Sequence, residues 1–249
     1  MGNSARIFLV ALLLMLSACG GGSGGSGGSD GSGGNSSSLS QQQSAKSLSI
    51  RPIAQEEPDW CYAASTQMIF AYYGLPAVNS VDYQCGIVGM FNEYSIPQCF
   101  IDCQFCAQVG GGTMDAIKQL VDLYGVIASQ DYFIPSPVLV SSEMYSPLSL
   151  QQVETEIDAG RPILAGISPG QFPLPDVSQH AVVVVGYNIN GSSALLIVND
   201  PFPYAATFQQ DPYTPAGGTL VQPGQYSISY DAFVQELVWA NTLYDIHVN

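Results

Sequence analysis

Residues 58–74 read PDWCYAASTQMIFAYYG, and this stretch decides the fold. Its apolar residues recur at helical spacing, Asp59 is a favourable N-cap, and Gly74 is a favourable residue just past a helix end. The stretch therefore predicts a helix with Cys61 in its first turn. The N–H groups at a helix start carry partial positive charge, which favours a thiolate there. Cys61 is thus a candidate reactive cysteine.

The remainder of the chain predicts helices first and strands afterwards. We predict one helix from Thr113 to Gly125, and another from Ser149, which forms a capping box with Gln152, to Gly160. Strand patterns follow at residues 162–167, 181–185, 194–198, 225–230 and 243–248, with a short helix at 231–237. This order predicts an α+β fold with an N-terminal helical half and a C-terminal antiparallel β-sheet half.

The sequence offers only two histidines as a partner for the cysteine. His247 lies two residues from the end, where chains fray, whereas His180 opens a long apolar strand. A hairpin turning at residues 188–193 brings the end of the next strand beside His180, opposite position 199 or 200. A third group there orients the imidazole and stabilises its charge. Asp200 is the first choice for that group, and Asn199 is the alternative.

A cysteine–histidine pair that transfers an acyl group also needs hydrogen-bond donors, which stabilise the negatively charged oxygen (the oxyanion) of the reaction intermediate. Gln55 lies six residues before Cys61, and its side-chain amide is a candidate donor. The backbone N–H of Cys61 is the second candidate.

Four of the six cysteines cluster in a loop-like region, at Cys85, Cys99, Cys103 and Cys106. In an oxidising compartment they predict two disulfides. Cys103 and Cys106 are too close in sequence to favour each other, so each is expected to bond outward, to Cys85 and Cys99. A four-thiolate zinc site is the alternative, although the paired spacing of such sites is missing. We expect no metal and no other cofactor, and Cys61 remains unpaired.

The N-terminus predicts export. Arg6 precedes an apolar run at residues 7–16 that is too short to cross a membrane, so residues 1–18 indicate a signal peptide. The junction ending in Cys19 resembles a bacterial lipobox, in which that cysteine is lipidated; an ordinary cleavage site before a cysteine is the alternative. Residues 19–47 are mostly Gly, Ser, Asn and Gln and predict a disordered tether. Residues 48–249 remain as one domain.

The predicted domain is strongly acidic. From residue 48 onward three basic residues stand against nineteen acidic ones, a net charge of −16. Nucleic acid is excluded as a partner, because its binding rests on Lys and Arg neutralising phosphates. We expect a monomer attached to the membrane only through a lipid on Cys19. The expected location is the bacterial outer membrane or the cell surface, with the leaflet left open.

Three segments together resemble the papain-like cysteine peptidase superfamily. They are Gln55 with Asp59–Ser65, then His180–Tyr187, then Asn199–Phe202. The similarity is in particular to its bacterial branches, the C39-like peptidases and the staphopain-like or secreted-effector proteases, and it extends from about residue 50 to 240.

The resemblance implies a papain-like fold that hydrolyses protein or peptide substrates through a thioester. Cys61 would be the nucleophile, His180 the base and Asp200 the orienting group. The same resemblance implies a substrate cleft at Trp60, Gly111, Gly112 and Gln179.

The sequence departs from the papain pattern at three points. Asp59–Trp60 stand where papain-like enzymes have small residues, Asp200 stands in place of the plant-type Asn, and Phe202 stands where many relatives have Trp. Transglutaminase-like and transpeptidase-like acyl transferases use the same order of Cys, His and Asp, so they remain alternatives. A non-catalytic tethered binding domain is the third, but no member of the candidate triad is missing. No feature names the substrate.

Overall fold

The computed structural model of the protein describes residues 43–79, 82–92, 96, 98–170 and 179–249. All of these residues belong to one compact unit. The predicted signal peptide at 1–18, Cys19 and the tether as far as residue 42 lie outside them and stay predictions. Within the described ranges, no helix is long and apolar enough to cross a membrane.

Most of the described helices lie before residue 131, and two follow later in the chain. They are α1 (Cys61–Tyr73), α2 (Tyr83–Asn92), α3 (Gln98–Ile101), a 3₁₀ turn (Cys103–Cys106), α4 (Met114–Gln130), α5 (Leu150–Asp158) and α6 (Tyr230–Gln235). The strands are β1 (Ser44–Ser47), β2 (Leu139–Met144), β3 (Ile163–Ile167), β4 (His180–Asn190), β5 (Ser193–Asn199), β6 (Thr219–Gln222), β7 (Gln225–Ser229) and β8 (Trp239–Val248).

The strands form one sheet in the order β2-β8-β3-β4-β5-β7-β6, and every described neighbour pair is antiparallel. β4 lies near the centre, and its residues 180–187 are buried, as a strand that is apolar on both faces should be. The predicted α+β class, with a helical first half and an antiparallel sheet in the second, is confirmed.

Helix α1 is the buried centre of the helical half. Nine of its thirteen residues are buried, and it packs against β4, where the Ser65 hydroxyl donates to the Ala181 carbonyl at 2.9 Å. Gly74 ends the helix at φ 75°, in the left-handed conformation that favours glycine, as predicted. The predicted N-cap at Asp59 is wrong, because the cap residue is Trp60 and no side chain caps the helix. Packing on all sides, rather than capping, therefore fixes where α1 begins.

The other two predicted helices differ in how well local signals located them. The capping box of Ser149 and Gln152 starts α5, as predicted. Helix α4 begins after Thr113, whose hydroxyl caps it, but continues five residues past the predicted end at Gly125. Gly125 serves close approach instead, since a Cβ there would lie 1.8 Å from the Pro137 carbonyl oxygen. Glycine in this helix is thus a packing residue and not a stop.

Strand β1 occupies the last residues of the predicted tether. Ser44–Ser47 pair with residues 186–189 of β4, along the edge of β4 that β3 leaves uncovered. The two backbones approach closely at Gly186, where a Cβ would lie 2.7 Å from the Lys46 carbonyl oxygen. The folded domain therefore starts before residue 48, and the disordered prediction fails for Ser44–Ser47.

Two disulfides hold α2, α3 and the 3₁₀ turn together. Cys85 is bonded to Cys103 and Cys99 to Cys106, which confirms the predicted outward pairing. The zinc alternative is wrong, because these four sulfurs are bonded to one another. The Trp60 indole N–H donates to the Cys106 carbonyl at 2.8 Å, so the disulfide-bonded segment braces the residue that precedes α1.

Candidate active site

The first residues of α1 and of β4 meet in one small cleft. Cys61 opens α1, carries a free thiol and is 9% exposed, while His180 opens β4 and is 1% exposed. Both line a cleft of about 40 Å³. The Ser65–Ala181 hydrogen bond holds the helix and the strand in register one turn away from the two side chains. The predicted cysteine and histidine are therefore together.

The imidazole of His180 lies between the cysteine and Asp200. Its Nε2 is 2.6 Å from Asp200 Oδ1, and both side chains are almost fully buried. The Cys61 side chain also interacts with His180 and raises the pKa of its imidazole. With Nε2 facing the carboxylate, Nδ1 is the ring nitrogen that serves the thiol. The three side chains thus form a continuous line from sulfur to carboxylate.

His180 is charged at neutral pH. Burial lowers its pKa, but the negative charge and hydrogen bond of Asp200, with a further contribution from Cys61, outweigh burial and raise the pKa from 6.5 to about 10. The electrostatics therefore favour the imidazolium form of His180 beside the cysteine.

Asp200 is held by more donors than the histidine alone. The Phe202 N–H donates to Oδ1 at 2.8 Å, and the hydroxyls of Tyr204 and Tyr213 both donate to Oδ2 at 3.0 Å. The Phe202 ring also meets the His180 ring edge-on, with the centroids 6.4 Å apart. A buried carboxylate needs such partners to stay charged. Sequence reasoning missed both tyrosines, which lie in an irregular segment without periodic signal.

Asn199, the alternative orienting residue, points away from the histidine. Its amide donates to the Ile50 carbonyl at 3.0 Å and its Oδ1 accepts from Gln225 at 2.8 Å. Consecutive strand residues face opposite sides of a sheet, so only one of residues 199 and 200 can meet His180. The geometry selects Asp200.

The predicted register between the two strands was wrong by two or three residues. Asn199 pairs with Val183, while His180 pairs with Ile167 on β3. The hairpin turn takes up only residues 191 and 192, because Asn190 already pairs with Ser193, and this tight turn sets the register. Asp200 reaches the imidazole because it follows the strand end and turns back toward it.

Gln55 does not present a donor to the cleft in this structure. Its Nε2 donates to the carbonyls of Glu57 at 2.9 Å and of Pro58 at 2.5 Å, which uses both amide protons. Its Oε1 is buried without a hydrogen-bond partner. The side chain therefore braces the loop before α1, and its predicted oxyanion role would require the amide to turn. The first-turn N–H groups of α1, which have no carbonyl partner within the helix, remain as candidate donors.

Three of the four predicted cleft residues line the cleft: Gly111, Gly112 and Gln179. Gly111 allows close approach, because a Cβ there would lie 2.7 Å from the Tyr62 side chain. The fourth prediction, Trp60, is wrong. Trp60 is 1% exposed and turned toward the disulfide-bonded segment, where its N–H is in use.

The cleft is also lined by residues that the sequence analysis did not single out. Asn241 and Gly166, which pair across β8 and β3, line it together with Ala181. The Asn241 amide donates to Gln179 Oε1 at 2.8 Å, and Asn241 Oδ1 is buried without a hydrogen-bond partner beside the cleft. Asn241 lies about 60 residues beyond His180 in sequence and gave no local signal.

Residues 47–236 of the chain match a known protein family, described as "Peptidase_C39 like family". Among solved structures, the chain is similar to a double glycine motif protease from an AMS/PCAT transporter, solved in complex with the leader peptide, at 16% identity and a TM-score of 0.38. That alignment covers 80% of this chain and 94% of the protease.

Two digestive proteinases from the larval midgut of Tenebrio molitor are also similar. Procathepsin L2 matches at 14% identity and a TM-score of 0.46, over 78% of this chain and 64% of its own. Procathepsin L 3 matches at 12% identity and a TM-score of 0.43, over 80% and 69%. Comparison with curated protein sequences gave no significant match.

Proposed function

This chain belongs to the peptidase C39-like family, and on that premise we propose that it is a cysteine peptidase acting through Cys61, His180 and Asp200. The observation that carries the proposal is the continuous line of these three side chains at the start of α1. The 2.6 Å contact between His180 and Asp200 and the interaction of His180 with Cys61 support it. The match to the family, over residues 47–236, supports a peptidase in general.

The proposed reaction runs in two halves. The Cys61 thiolate attacks the carbonyl carbon of the peptide bond, and the resulting tetrahedral intermediate collapses as the His180 imidazolium gives its proton to the leaving amine. The products of this half are a thioester on Cys61 and a free amine. Water then attacks the thioester and gives a proton to His180. The carboxylic acid leaves, and the thiolate and imidazolium are restored.

Asp200 acts on the imidazole and not on the substrate. It fixes the ring so that Nδ1 faces the sulfur, and its charge favours the imidazolium that the first half consumes. The negative charge that develops on the substrate oxygen is stabilised by the N–H groups at the start of α1, including that of Cys61. Gln55 joins them only if its amide leaves the carbonyls of Glu57 and Pro58.

The proposed substrate is a protein or peptide, as the family implies. The domain's excess of acidic residues disfavours acidic segments near the cleft through charge repulsion. Export and a lipid on Cys19 would place the enzyme on the bacterial surface as a tethered monomer. Metabolic labelling with a radioactive fatty acid tests the anchor: wild type takes up label and Cys19→Ala does not.

The function is tested with Cys61→Ala and with iodoacetamide. We expect hydrolysis of a peptide library by the full chain, complete loss in Cys61→Ala, and alkylation of Cys61 without prior reduction, because the four described cysteines in disulfides do not react. A control, Ser141→Ala, removes a hydroxyl from β2, away from the cleft, and should be as active as wild type. Hydrolysis that survives in Cys61→Ala, or a pH profile that is flat from about pH 4 to about pH 9, would sink the proposal.

The same assay separates hydrolysis from acyl transfer. A primary amine is added at increasing concentration and the products are identified by mass spectrometry. A peptidase gives mainly the free acid, whereas a transpeptidase-like enzyme gives mainly the new amide. Predominant amide formation would contradict the hydrolytic assignment while leaving the cysteine chemistry intact.

A further inference from the structure

The carboxylate of Asp200 accepts two hydrogen bonds on the oxygen that does not face the histidine. Oδ1 faces His180, and Oδ2 accepts hydrogen bonds from Tyr204 and Tyr213, each 3.0 Å long. Tyr204 is 4% exposed and Tyr213 is fully buried. Two phenol hydroxyls that converge on one oxygen leave that oxygen little freedom. The carboxylate therefore cannot rotate without breaking both bonds.

Both tyrosines are neutral donors over the whole working range of the protein. Burial raises the pKa of Tyr204 and of Tyr213 well above 10, and the negative charge of Asp200 raises each further. A neutral phenol donates a proton to a carboxylate in a charge-assisted hydrogen bond, which is about twice as strong as one between neutral groups. The two hydroxyls consequently stabilise the charged form of the carboxylate.

The tyrosine rings are themselves fixed by packing. Tyr213 stacks on Tyr226 with ring centroids 4.2 Å apart and planes 8° apart, and Tyr204 packs on Phe202 at 4.8 Å. Rings held in this way place their hydroxyls without a large entropic cost when the bonds form. Packing of the rings, together with attraction to the carboxylate, thus directs the two hydroxyls toward Oδ2.

We propose that Tyr204 and Tyr213 are positioning residues for the peptidase reaction, acting through Asp200 on the orientation and charge of His180. The inference rests on the proposed function. The titratable groups described around the Asp200 carboxylate are His180 from β4 and the two tyrosines from the irregular segment after β5, and the Phe202 N–H also donates to Oδ1. Tyr226 from β7 lies behind Tyr213, and Cys61 from α1 lies on the far side of the imidazole.

The test compares Tyr204→Phe, Tyr213→Phe and the double variant with a matched control, Tyr226→Phe. The control removes a phenol hydroxyl from the same ring cluster, but that hydroxyl makes no hydrogen bond to Asp200 among the described contacts. For each positioning variant we expect kcat to fall about 10-fold with KM within 2-fold of wild type, as for loss of one hydrogen bond to a charged group. The control should stay within 2-fold in both.

A second readout follows the pKa of His180 rather than the rate. Asp200 raises that pKa, and a carboxylate that is free to turn raises it less, so the basic limb of the pH profile should move down in each positioning variant and stay at the wild-type pH in Tyr226→Phe. NMR titration of the His180 imidazole should show the same fall without any substrate present. Melting temperatures of all four variants check folding, and the single variants decide the matter if the double variant unfolds.

A double-mutant cycle separates positioning from general stability. In an Asp200→Asn background, removal of either hydroxyl should change kcat less than 2-fold, because the route through the carboxylate is already gone. Losses that equal those of Tyr226→Phe, or that persist in full in the Asp200→Asn background, overturn the inference. If such results are found while hydrolysis still depends on Cys61, only the inference about the tyrosines is contradicted. Hydrolysis by Cys61→Ala would contradict both that inference and the proposed function.

Discussion

Replacement of Asp200 by Asn removes one charge from the buried line of side chains and keeps its shape. In the wild-type protein the pKa of His180 is raised from 6.5 to about 10, although burial alone lowers it. A rise of that size corresponds to roughly 5 kcal/mol in favour of the imidazolium. Because the ring is almost fully buried, solvent screens little of it. Without the carboxylate charge, burial dominates, and the pKa of His180 should fall below about 7.

The expected result is a shift of the basic limb of the pH profile from near pH 10 to below about pH 7. At pH 8 the imidazolium would then be a minor form, about a tenth of the protein or less, and kcat/KM should fall at least about 10-fold. The pH profile on a fluorogenic peptide measures the limb, and NMR titration of the two imidazoles measures the pKa of His180 directly. Equal basic limbs in wild type and variant, within half a pH unit, would refute the electrostatic reasoning.

Asp211→Asn is the matched control for this experiment. Asp211 belongs to the same irregular segment as the tyrosines but hydrogen-bonds only to Thr214 among the described contacts. Its replacement also removes one negative charge from the domain without touching His180. Both limbs of its pH profile should coincide with those of wild type.

The remaining predictions concern stability. Because the pKa of His180 is raised on folding, the stabilisation from its pairing with Asp200 is complete below about pH 6.5 and is lost as pH rises toward 10. Urea unfolding should show this loss, on the order of a few kcal/mol, in wild type, and Asp200→Asn should show none. Gly125→Ala would press a methyl against a backbone carbonyl 1.8 Å away, so its melting temperature should fall by several degrees. Gly110→Ala, where a Cβ meets nothing within 4 Å, should melt like wild type.

Local signals in the sequence located the elements that carry the site. The periodicity of residues 58–74 gave the helix that presents Cys61, and the apolar run after His180 gave the central strand. The capping box at Ser149 placed the start of α5 because its hydrogen bonds join residues three apart. Each of these signals depends on neighbours within one or two turns, which a single sequence displays.

The parts that were missed or misplaced depend on contacts between distant segments. The register of β4 with β5 follows from a two-residue turn between Asn190 and Ser193, which is tighter than the predicted turn, and from a one-residue irregularity inside β4. Tyr204 and Tyr213 reach Asp200 from a segment without regular structure. Asp59 has the chemistry of an N-cap, yet burial of the neighbouring Trp60 determined where the helix begins. Tertiary packing overrode local preference in each case.

Strand β1 has a mechanical consequence. Its four residues pair with residues 186–189 of β4, so the segment that precedes Ser44 is attached at the end of β4 far from His180, six or more residues away and roughly 20 Å along the strand. A pull on that segment loads the β1–β4 ladder in shear, and its hydrogen bonds resist together before any one yields. If they yield, β1 peels from residues 186–189 of β4, which lie beyond the residues that pair with β3. Tension on the segment that precedes Ser44 would therefore break the four β1–β4 residue pairs before it displaced Cys61, His180 or Asp200.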